Sequence, residues 1–262
     1  MGKILLKQQL KTVEVDGEKK RVWLLDNGEF DSFDANLLSL GDMSLPSEEV
    51  ESLAAVFDLS GFTKFCSQID PHLLLPEFLN SFLGWLFDEI KKEFVEKTHD
   101  GGKELRADLP FMAKFTGDGV LFLWDTRKMD NTQICNAVVC LKNICYSYTN
   151  EFYPGIKKVV DNPPTALRCG IARGKLFSVG NAEDYVGPCI NLASRLQRVS
   201  LLTFCFPRKG FDIEKDMGKD AKTVYTEKRF SIRGIGENIL VWVVKEEFDK
   251  LPEEEKKSFG EP

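Results

Sequence analysis

Ala54-Ala55-Val56-Phe57-Asp58-Leu59-Ser60-Gly61-Phe62-Thr63 is the stretch that decides the fold of this chain. An apolar run carries one carboxylate, Asp58, to its end and then turns at Ser60-Gly61 into an amphipathic segment. Such a run predicts a strand that is buried on both faces of its sheet. Because a buried carboxylate is costly unless a cation meets it, Asp58 requires a positively charged partner.

A second carboxylate stands in a turn further along the chain, within Lys114-Phe115-Thr116-Gly117-Asp118-Gly119. Short apolar runs, 111–115 and 120–124, flank this turn and predict a β-hairpin. Two carboxylates brought together without histidine or cysteine suit a hard, oxygen-preferring cation such as Mg²⁺ or Mn²⁺. The two segments therefore predict an enzyme that uses metal ions and phosphate chemistry.

The composition restricts the class of protein. The chain has 262 residues, enough for one large domain or a domain with extensions, and its net charge is −6. This acidic balance gives no support to a general nucleic-acid-binding surface. The seven cysteines form no CxxC pair, which is typical of reduced thiols in a cytosolic protein. Because no run approaches the roughly 20 apolar residues of a membrane span and no signal peptide begins the chain, we expect a cytoplasmic protein that contacts no membrane.

The chain divides by composition into three parts. Residues 1–48 predict a β-rich N-terminal extension, because Asp16-Gly17 and Asp26-Asn27-Gly28 are hairpin-turn signals. A polar stretch with a proline marks the boundary before the main domain, residues 49–246. Residues 247–262 are expected to form a charged C-terminal tail. The extension carries no recognisable chemistry, so we expect it to be structural or to stabilise a dimer.

The main domain alternates strands and helices. After the strand that ends near Asp58, helical periodicity predicts helices over 70–97, 131–148 and 188–199, with the hairpin between the first two. Between the second and third helices we expect a strand over 166–172, a turn at 173–174 and a strand over 175–179. Closing strands are expected near 224, 230–232 and 239–244. This order matches the split βαβ plan of a ferredoxin-like α+β sandwich.

Four motifs follow one another within residues 50–245. They are Phe57-Asp58-Leu59-Ser60-Gly61-Phe62-Thr63, Lys114-Phe115-Thr116-Gly117-Asp118-Gly119, Arg168-Cys169-Gly170-Ile171-Ala172-Arg173-Gly174 and Gly187-Pro188-Cys189-Ile190-Asn191-Leu192-Ala193-Ser194-Arg195-Leu196. They resemble the F-D-[IL]-x-G-F-T, K-x-x-G-D-G, R-x-G-I-x-x-G and G-x-x-V-N-x-A-S-R-L patterns of class III nucleotidyl cyclases. The resemblance implies the α+β, ferredoxin-like βαββαβ catalytic domain of that family, here preceded by a β-rich extension.

The resemblance assigns a two-metal site to the first two motifs. Asp58 and Asp118 would hold two divalent ions, Mn²⁺ or Mg²⁺, and the carbonyl of Leu59 would add an oxygen. In such a site one ion lowers the pKa of the ribose 3′-hydroxyl of a nucleoside triphosphate and the other holds the triphosphate. Ser60 to Thr63, at a predicted helix start, would present backbone N–H groups to the phosphates.

The last motif and a later glycine-rich turn supply the other half of the implied site. In the family, the asparagine matching Asn191 orients the ribose, and the arginine matching Arg195 neutralises charge that develops on the α-phosphate. Arg233, in the later turn, would meet the terminal phosphates. The family takes its aspartates from one chain and its asparagine and arginine from the partner. The resemblance therefore implies a head-to-tail homodimer with composite active sites.

The residues alone leave the base open. Lys114 and Asp184 occupy the positions that read adenine in purine cyclases, but an ammonium and a carboxylate can also contact uracil. Pro188 and Cys189 replace the usual polar pair beside the base pocket. The chain also resembles the stand-alone pyrimidine cyclases of Pycsar anti-phage systems, whose product acts on a separate effector. We therefore favour UTP, giving cUMP, over ATP, with CTP as a further alternative.

Two other functions fit the same motifs. An adenylate cyclase in ordinary signalling would use these residues on ATP. A cyclase-homology domain that binds a nucleotide without turnover typically lacks an aspartate, the asparagine or the arginine, whereas all four are present here. A diguanylate cyclase is disfavoured because its G-G-[DE]-E-F signature is absent from the sequence. A catalytically competent cyclase is therefore the favoured interpretation.

Overall fold

The computed structural model describes residues 6–15, 17–218 and 220–262. The chain forms two compact units. The first comprises Met1–Glu49 and Phe177–Val186, and the second comprises Val50–Leu176 and Gly187–Pro262. Among the described residues, no helix is both long enough and apolar enough to cross a membrane.

Thirteen strands are assigned in the described ranges. They are β1 Gln9–Val15, β2 Glu18–Leu24, β3 Glu49–Ser60, β4 Val95–His99, β5 Gly102–Leu105, β6 Met112–Phe115, β7 Gly119–Asp125, β8 Ala166–Val179, β9 Asp184–Val186, β10 Phe204–Pro207, β11 Tyr225–Ile232, β12 Gly236–Val244 and β13 Phe259–Gly260.

Ten α-helices are assigned in the same ranges, and α3, α4 and α6 are the longest of them. In chain order they are α1 Asn27–Asp31, α2 Phe62–Cys66, α3 Pro71–Phe94, α4 Asn131–Ser147, α5 Tyr153–Ile156, α6 Pro188–Leu196, α7 Ile213–Asp216, α8 Ala221–Val224, α9 Lys245–Asp249 and α10 Glu253–Lys256. Short 3₁₀ turns cover Ala35–Leu38 and Thr126–Lys128, and one π-helical turn covers Tyr148–Phe152.

The first unit contains one of its two predicted hairpins. β1 and β2 pair antiparallel across the Asp16-Gly17 turn, although Asp16 itself lies outside the described residues. The hairpin predicted at Asp26-Asn27-Gly28 is wrong. There the Asp26 side chain accepts a hydrogen bond from the Gly28 amide at 2.9 Å and caps α1. A carboxylate that satisfies a free N–H favours a helix start over a turn between strands.

The second unit is built on one sheet, with strands in the order β13-β11-β12-β10-β8-β3-β7-β6. The chain visits the last four of these as β3-α3-β6-β7-α4-β8, with the β4–β5 hairpin inserted after α3. This connectivity is the split βαβ plan of the ferredoxin-like sandwich. The predicted α+β fold class is therefore confirmed.

β3 has the helical core on one face and Asp58 on the other. Successive side chains of a strand alternate between the two faces of the sheet. Leu53, Ala55 and Phe57 belong to the large hydrophobic cluster that includes side chains of α3 and α4. Asp58, one residue out of phase, lies on the opposite face with Val56, and both are buried. The prediction that this strand is buried on both faces is confirmed.

Apolar side chains of the two long helices also belong to that core. Among the residues buried in it are four at helical spacing from each helix: Phe78, Phe82, Leu86 and Ile90 from α3, and Ile134, Val138, Leu141 and Ile144 from α4. Helical spacing places each set of four on one side of its helix, which faces the sheet.

Several predicted boundaries differ in the structure. The helix predicted over 188–199 ends at Leu196, because the amides of Arg198 and Val199 bond to carbonyls three residues back, as in turns. The helix predicted over 70–97 ends at Phe94, because Val95 is extended and begins β4, which pairs with β5 across the Asp100-Gly101 turn. The turn predicted at Arg173-Gly174 is wrong, because β8 runs through it without a break. Gly174 does not have a positive φ, so this glycine continues the strand. β10, which lies between β8 and β12, is not among the predicted strands.

Residues 247–262 form regular elements of the second unit rather than a tail. β13 pairs with β11, and Phe259 lies opposite Phe230 in that pairing. Leu251 is buried in a second, smaller hydrophobic cluster, and Phe248 packs against that cluster. Widely spaced apolar residues in a charged segment therefore attach it to the edge of the sheet.

Gly170, in the third motif, allows α6 to lie directly on the sheet. A Cβ atom at Gly170 would be 2.1 Å from the carbonyl oxygen of Ala193 and 2.3 Å from the amide nitrogen of Gln197. Only a residue without a side chain permits this approach of the α6 backbone to β8. Because α6 carries Asn191 and Arg195, Gly170 sets the position of both side chains.

We predict that Gly170→Ala lowers the free energy of unfolding by about 1–3 kcal/mol, the usual cost of overpacking, because α6 must move away from β8. Gly84→Ala is the matched control, since open space surrounds that glycine of α3. Alanine favours a helix over glycine by up to about 1 kcal/mol, so the control should be neutral or stabilising. Urea unfolding measures both variants, and equal midpoints would contradict the close approach at Gly170.

Candidate active site

The pairing of β3 with β7 brings the two candidate metal-binding carboxylates together. Asp58 lies opposite Gly119 in the antiparallel register, and the Leu59 amide donates a hydrogen bond to the carbonyl oxygen of Asp118 at 2.9 Å. Gly119 permits this approach, because a Cβ atom there would lie 1.8 Å from the carbonyl oxygen of Phe57. The Gly-Asp-Gly turn therefore fixes Asp118 beside Asp58.

A guanidinium group lies between the two carboxylates. Arg198 Nη2 is 3.4 Å from Asp58 Oδ1 and 3.3 Å from Asp118 Oδ2. Burial, and then the negative charge of Asp118, raise the pKa of Asp58 above its ordinary value, while the charges of Arg198 and Arg168 oppose this rise. The pair therefore concentrates negative charge that a cation has to balance.

The donor set at the carboxylate pair fits divalent cations. Asp58, Asp118 and the backbone carbonyl of Leu59 can offer oxygen ligands, which Mg²⁺ and Mn²⁺ prefer. In the described part of the chain, no group of three or more His, Cys, Asp or Glu side chains is arranged to hold a metal ion. Mg²⁺ is commonly held by one or two carboxylates, with substrate phosphates and water completing its shell. The residues present thus fit a divalent cation whose remaining ligands come from outside the chain.

The turn after β3 joins the carboxylate strand to α2. Gly61 has a φ of +86°, a conformation that favours glycine, and its surroundings are open. A glycine is therefore favoured at position 61 by its backbone conformation and not by close packing against the rest of the chain. The Ser60 hydroxyl accepts a hydrogen bond from Arg168 Nη2 at 3.0 Å. Phe62 packs against the core and Thr63 is exposed, so the turn presents its polar side outward.

The remaining candidate catalytic residues line a different cavity of the same unit. Asn191, Arg195 and Arg233 border a cavity of about 410 Å³, together with Ser194. The two carboxylates border a separate cavity of about 140 Å³, which also includes Ser194 and Arg198. α6 therefore carries side chains toward two different cavities of one chain.

The two residues predicted to read the base belong to different units. Lys114 is an exposed residue of β6 in the second unit and lies opposite Leu121 of β7. Asp184 begins β9 in the first unit, and its Oδ1 accepts a hydrogen bond from the Tyr185 amide at 2.9 Å. Their roles in base recognition stay predictions.

Two arginines at the site receive no role from the sequence reading. Arg168 begins the third motif, so the motif could have identified it as a residue of the site. Arg198 lies three residues after Arg195, beyond the end of α6, and no motif marks it. Its contact with the carboxylates becomes visible only when the chain is folded.

All seven cysteines are free, and six of them are buried, as the sequence predicts for reduced thiols. Burial raises the pKa of the Cys189 thiol, at the start of α6, to about 11. Such a thiol is protonated at neutral pH and packs as a small apolar group. Cys189 therefore has the chemistry of a packing residue at the start of α6.

Solved cyclase structures share this fold. The guanylyl cyclase Cya2 aligns with a TM-score of 0.55 at 16% identity, over 76% of this chain and 94% of its own. The catalytic core of a rhodopsin-guanylyl cyclase with converted specificity, in complex with ATPαS, aligns with a TM-score of 0.52 at 17% identity, over 76% of this chain and 97% of its own. The guanylate cyclase domain of RhGC from Catenaria anguillulae, in complex with GTP, aligns with a TM-score of 0.52 at 16% identity, over 75% of this chain and 98% of its own.

No protein-family model matches the sequence, and neither does any curated protein. Identities of this order establish a shared fold and nothing finer. The fold of the chain is therefore that of nucleotide cyclase catalytic domains, as the motif resemblance implies.

We predict that Asp58→Asn stabilises the metal-free protein at neutral pH and that this gain disappears in acid. The folded-state pKa of Asp58 lies above its ordinary value, so ionising this carboxyl costs the wild type stability as the pH rises through the raised pKa. Asparagine removes that cost. Urea unfolding in EDTA at about pH 3, below the ordinary carboxyl pKa, and at about pH 7.5 measures the change, and the midpoint of the variant relative to wild type should rise with pH.

Asp125→Asn is the control with the opposite sign. Hydrogen bonds from Arg127 hold the pKa of the Asp125 carboxyl below its usual value. The wild type therefore gains stability over this variant as the pH rises through the ordinary carboxyl range. The same trend in both variants would contradict the difference between the two environments.

Proposed function

We propose that residues 49–246 are the catalytic domain of a nucleotide cyclase. The reaction converts a nucleoside triphosphate into a 3′,5′-cyclic nucleotide and diphosphate. One observation carries the proposal: Asp58 and Asp118 meet where β3 pairs with β7, at a place with carboxylate and carbonyl oxygens. Paired carboxylates of this kind fit metal-assisted attack at phosphorus. The shared fold supports the same assignment.

The carboxylate pair would hold two divalent ions, Mn²⁺ or Mg²⁺, with the Leu59 carbonyl as a further oxygen ligand. When bound, these ions lower the pKa of the 3′-hydroxyl and neutralise the triphosphate. In the reaction a bond forms between the 3′-oxygen and the α-phosphorus, while the bond from that phosphorus to the β-bridging oxygen breaks. Diphosphate leaves with the bonding electron pair, and the hydroxyl proton passes to solvent.

The second cavity would supply orientation and charge. Asn191 hydrogen-bonds the ribose and so holds the 3′-oxygen in line with the α-phosphorus. Arg195 stabilises the charge that develops on the α-phosphate. Arg233 neutralises the terminal phosphates, and the turn from Ser60 to Thr63 offers backbone N–H groups to them. Each residue thereby acts on a different part of the nucleotide.

A head-to-tail homodimer would join the two half-sites. In one chain Asn191 and the carboxylates line two neighbouring cavities, which share Ser194. A twofold arrangement places the Asn191 cavity of each copy against the carboxylates of the other and creates two equivalent composite sites. A single copy is then inactive.

The proposed substrate is UTP, and the proposed role is synthesis of cUMP as a second messenger in cytoplasmic anti-phage defence, answered by a separate effector. The resemblance to the Pycsar pyrimidine cyclases supports this assignment. Lys114 would donate to a carbonyl oxygen of uracil and Asp184 would accept from its N3–H. ATP, giving cAMP, is the alternative that uses the same pair of residues.

We predict that a mixture of Asp118→Ala and Arg195→Ala proteins regains the activity that each has lost alone. In a heterodimer one composite site receives both substitutions and the other receives none, so random exchange should restore about a quarter of wild-type turnover. Cyclic nucleotide production measures it. A mixture of Asp58→Ala and Asp118→Ala is the control, because both damage the same half-site and no intact site can form.

Recovery in that control would contradict the composite site. So would no recovery in the first mixture, provided that native mass spectrometry shows heterodimers. Both outcomes are independent of which base the enzyme prefers.

We predict that UTP is cyclised fastest when the purified protein receives UTP, CTP, ATP and GTP at equal concentrations with Mn²⁺. Chromatography coupled to mass spectrometry separates the four cyclic products. Predominant cAMP would replace the pyrimidine assignment with an adenylate cyclase and leave the cyclase proposal intact.

A further inference from the structure

Arg198 occupies the space between the two carboxylates with a single nitrogen. Its Nη2 atom donates to Asp58 Oδ1 at 3.4 Å and to Asp118 Oδ2 at 3.3 Å. Both distances are longer than typical N–H···O hydrogen bonds and much longer than charge-assisted ones. The guanidinium therefore balances both negative charges without holding either oxygen tightly.

Strand pairing fixes the two carboxylates of this contact, whereas the arginine side chain is largely exposed to solvent. Strand pairing holds Asp58 and Asp118 in place, and the Asp58 side chain is 12% exposed. α6 ends at Leu196, and Arg198 lies in the turn beyond it, with its side chain 62% exposed. Rotation of the arginine side chain would clear the pocket without moving β3 or β7.

We propose that Arg198 is a built-in counter-cation that a divalent metal ion must displace from the carboxylate pair. This inference rests on the proposed function, because it requires the metal ion to bind at Asp58 and Asp118. The guanidinium and the metal ion use the same two carboxylates, and their like charges repel each other. Arg198 therefore stabilises the metal-free pair and weakens the binding of the metal.

Arg195, the arginine nearest to Arg198 in the sequence, lines a different cavity. Arg195, three residues earlier, borders the 410 Å³ cavity, whereas Arg198 borders the 140 Å³ cavity of the carboxylates. The pocket of the carboxylates also includes Ser194 and Gln197 but no further lysine or arginine among its lining residues. Of the side chains that border this pocket, Arg198 is thus the positive charge that competes with an incoming metal ion.

The test measures Mn²⁺ binding without nucleotide, from the electron paramagnetic resonance signal of free Mn²⁺. Arg198→Gln keeps a similar side-chain length and removes the charge, and we expect it to bind Mn²⁺ about tenfold more tightly, as the loss of two competing ion pairs predicts. Arg198→Lys keeps the charge and should stay within about threefold of wild type. Arg127→Gln is the matched control, because that arginine pairs with Asp125 outside the pocket.

Thermal unfolding gives a second readout that does not depend on turnover. In EDTA, Arg198→Gln should unfold at a lower temperature than wild type, because the carboxylates repel each other without their counter-cation. Saturating Mn²⁺ should raise its midpoint by more than it raises that of wild type. The control Arg127→Gln should show the same Mn²⁺ response as wild type.

Unchanged or weaker Mn²⁺ binding by Arg198→Gln, with binding abolished in Asp58→Ala, would overturn the inference about Arg198 and leave the metal site standing. Tighter binding by Arg198→Lys to the same degree as by Arg198→Gln would also overturn it, since charge would then not be the cause. Mn²⁺ binding that persists in Asp58→Ala would instead overturn the metal site, and the proposed function would fail with it.

Discussion

Two carboxylates held side by side by strand pairing are the constraint on which the rest of the site depends. The β3–β7 register, the hydrogen bond from the Leu59 amide and the missing side chain of Gly119 leave the backbone of Asp58 and Asp118 little freedom to separate. Like charges at short range in a partly buried place cost free energy unless a cation balances them. Arg198 meets this need in the structure, and the proposed metal ions would meet it during catalysis.

α6 explains why one chain alone does not complete the proposed site. Gly170 lets its backbone lie against β8, which fixes the directions of the side chains it carries. Asn191 and Arg195 border one cavity, whereas the segment beyond the helix places Arg198 in another. Asn191 and Arg195 lie four residues apart on one face of the nine-residue helix, whereas Arg198 follows its end. In the proposed dimer, a second copy of the chain brings its Asn191 cavity onto the carboxylate pair.

The sequence predicts the parts of this arrangement that depend on local pattern. A continuous apolar run identifies β3, helical periodicity identifies the two long helices, and the motifs single out Asp58 and Asp118. Arg198 could not be found in this way, because its contact depends on where the chain turns after α6. Arg173-Gly174 has the composition of a turn, yet neighbouring strands hold it extended within β8. Residues 247–262 lack any period, and their aromatic side chains become structural only because a sheet edge is available.

Turnover in water labelled with oxygen-18 tests the central claim most directly, because it separates cyclisation from hydrolysis and from binding alone. The 3′-oxygen of the substrate is the nucleophile in a cyclase, so the account predicts unlabelled cyclic nucleotide and unlabelled diphosphate from UTP and Mn²⁺. Mass spectrometry of the products reads the label. A linear nucleotide or phosphate product that carries oxygen-18, with no cyclic product, would contradict the account.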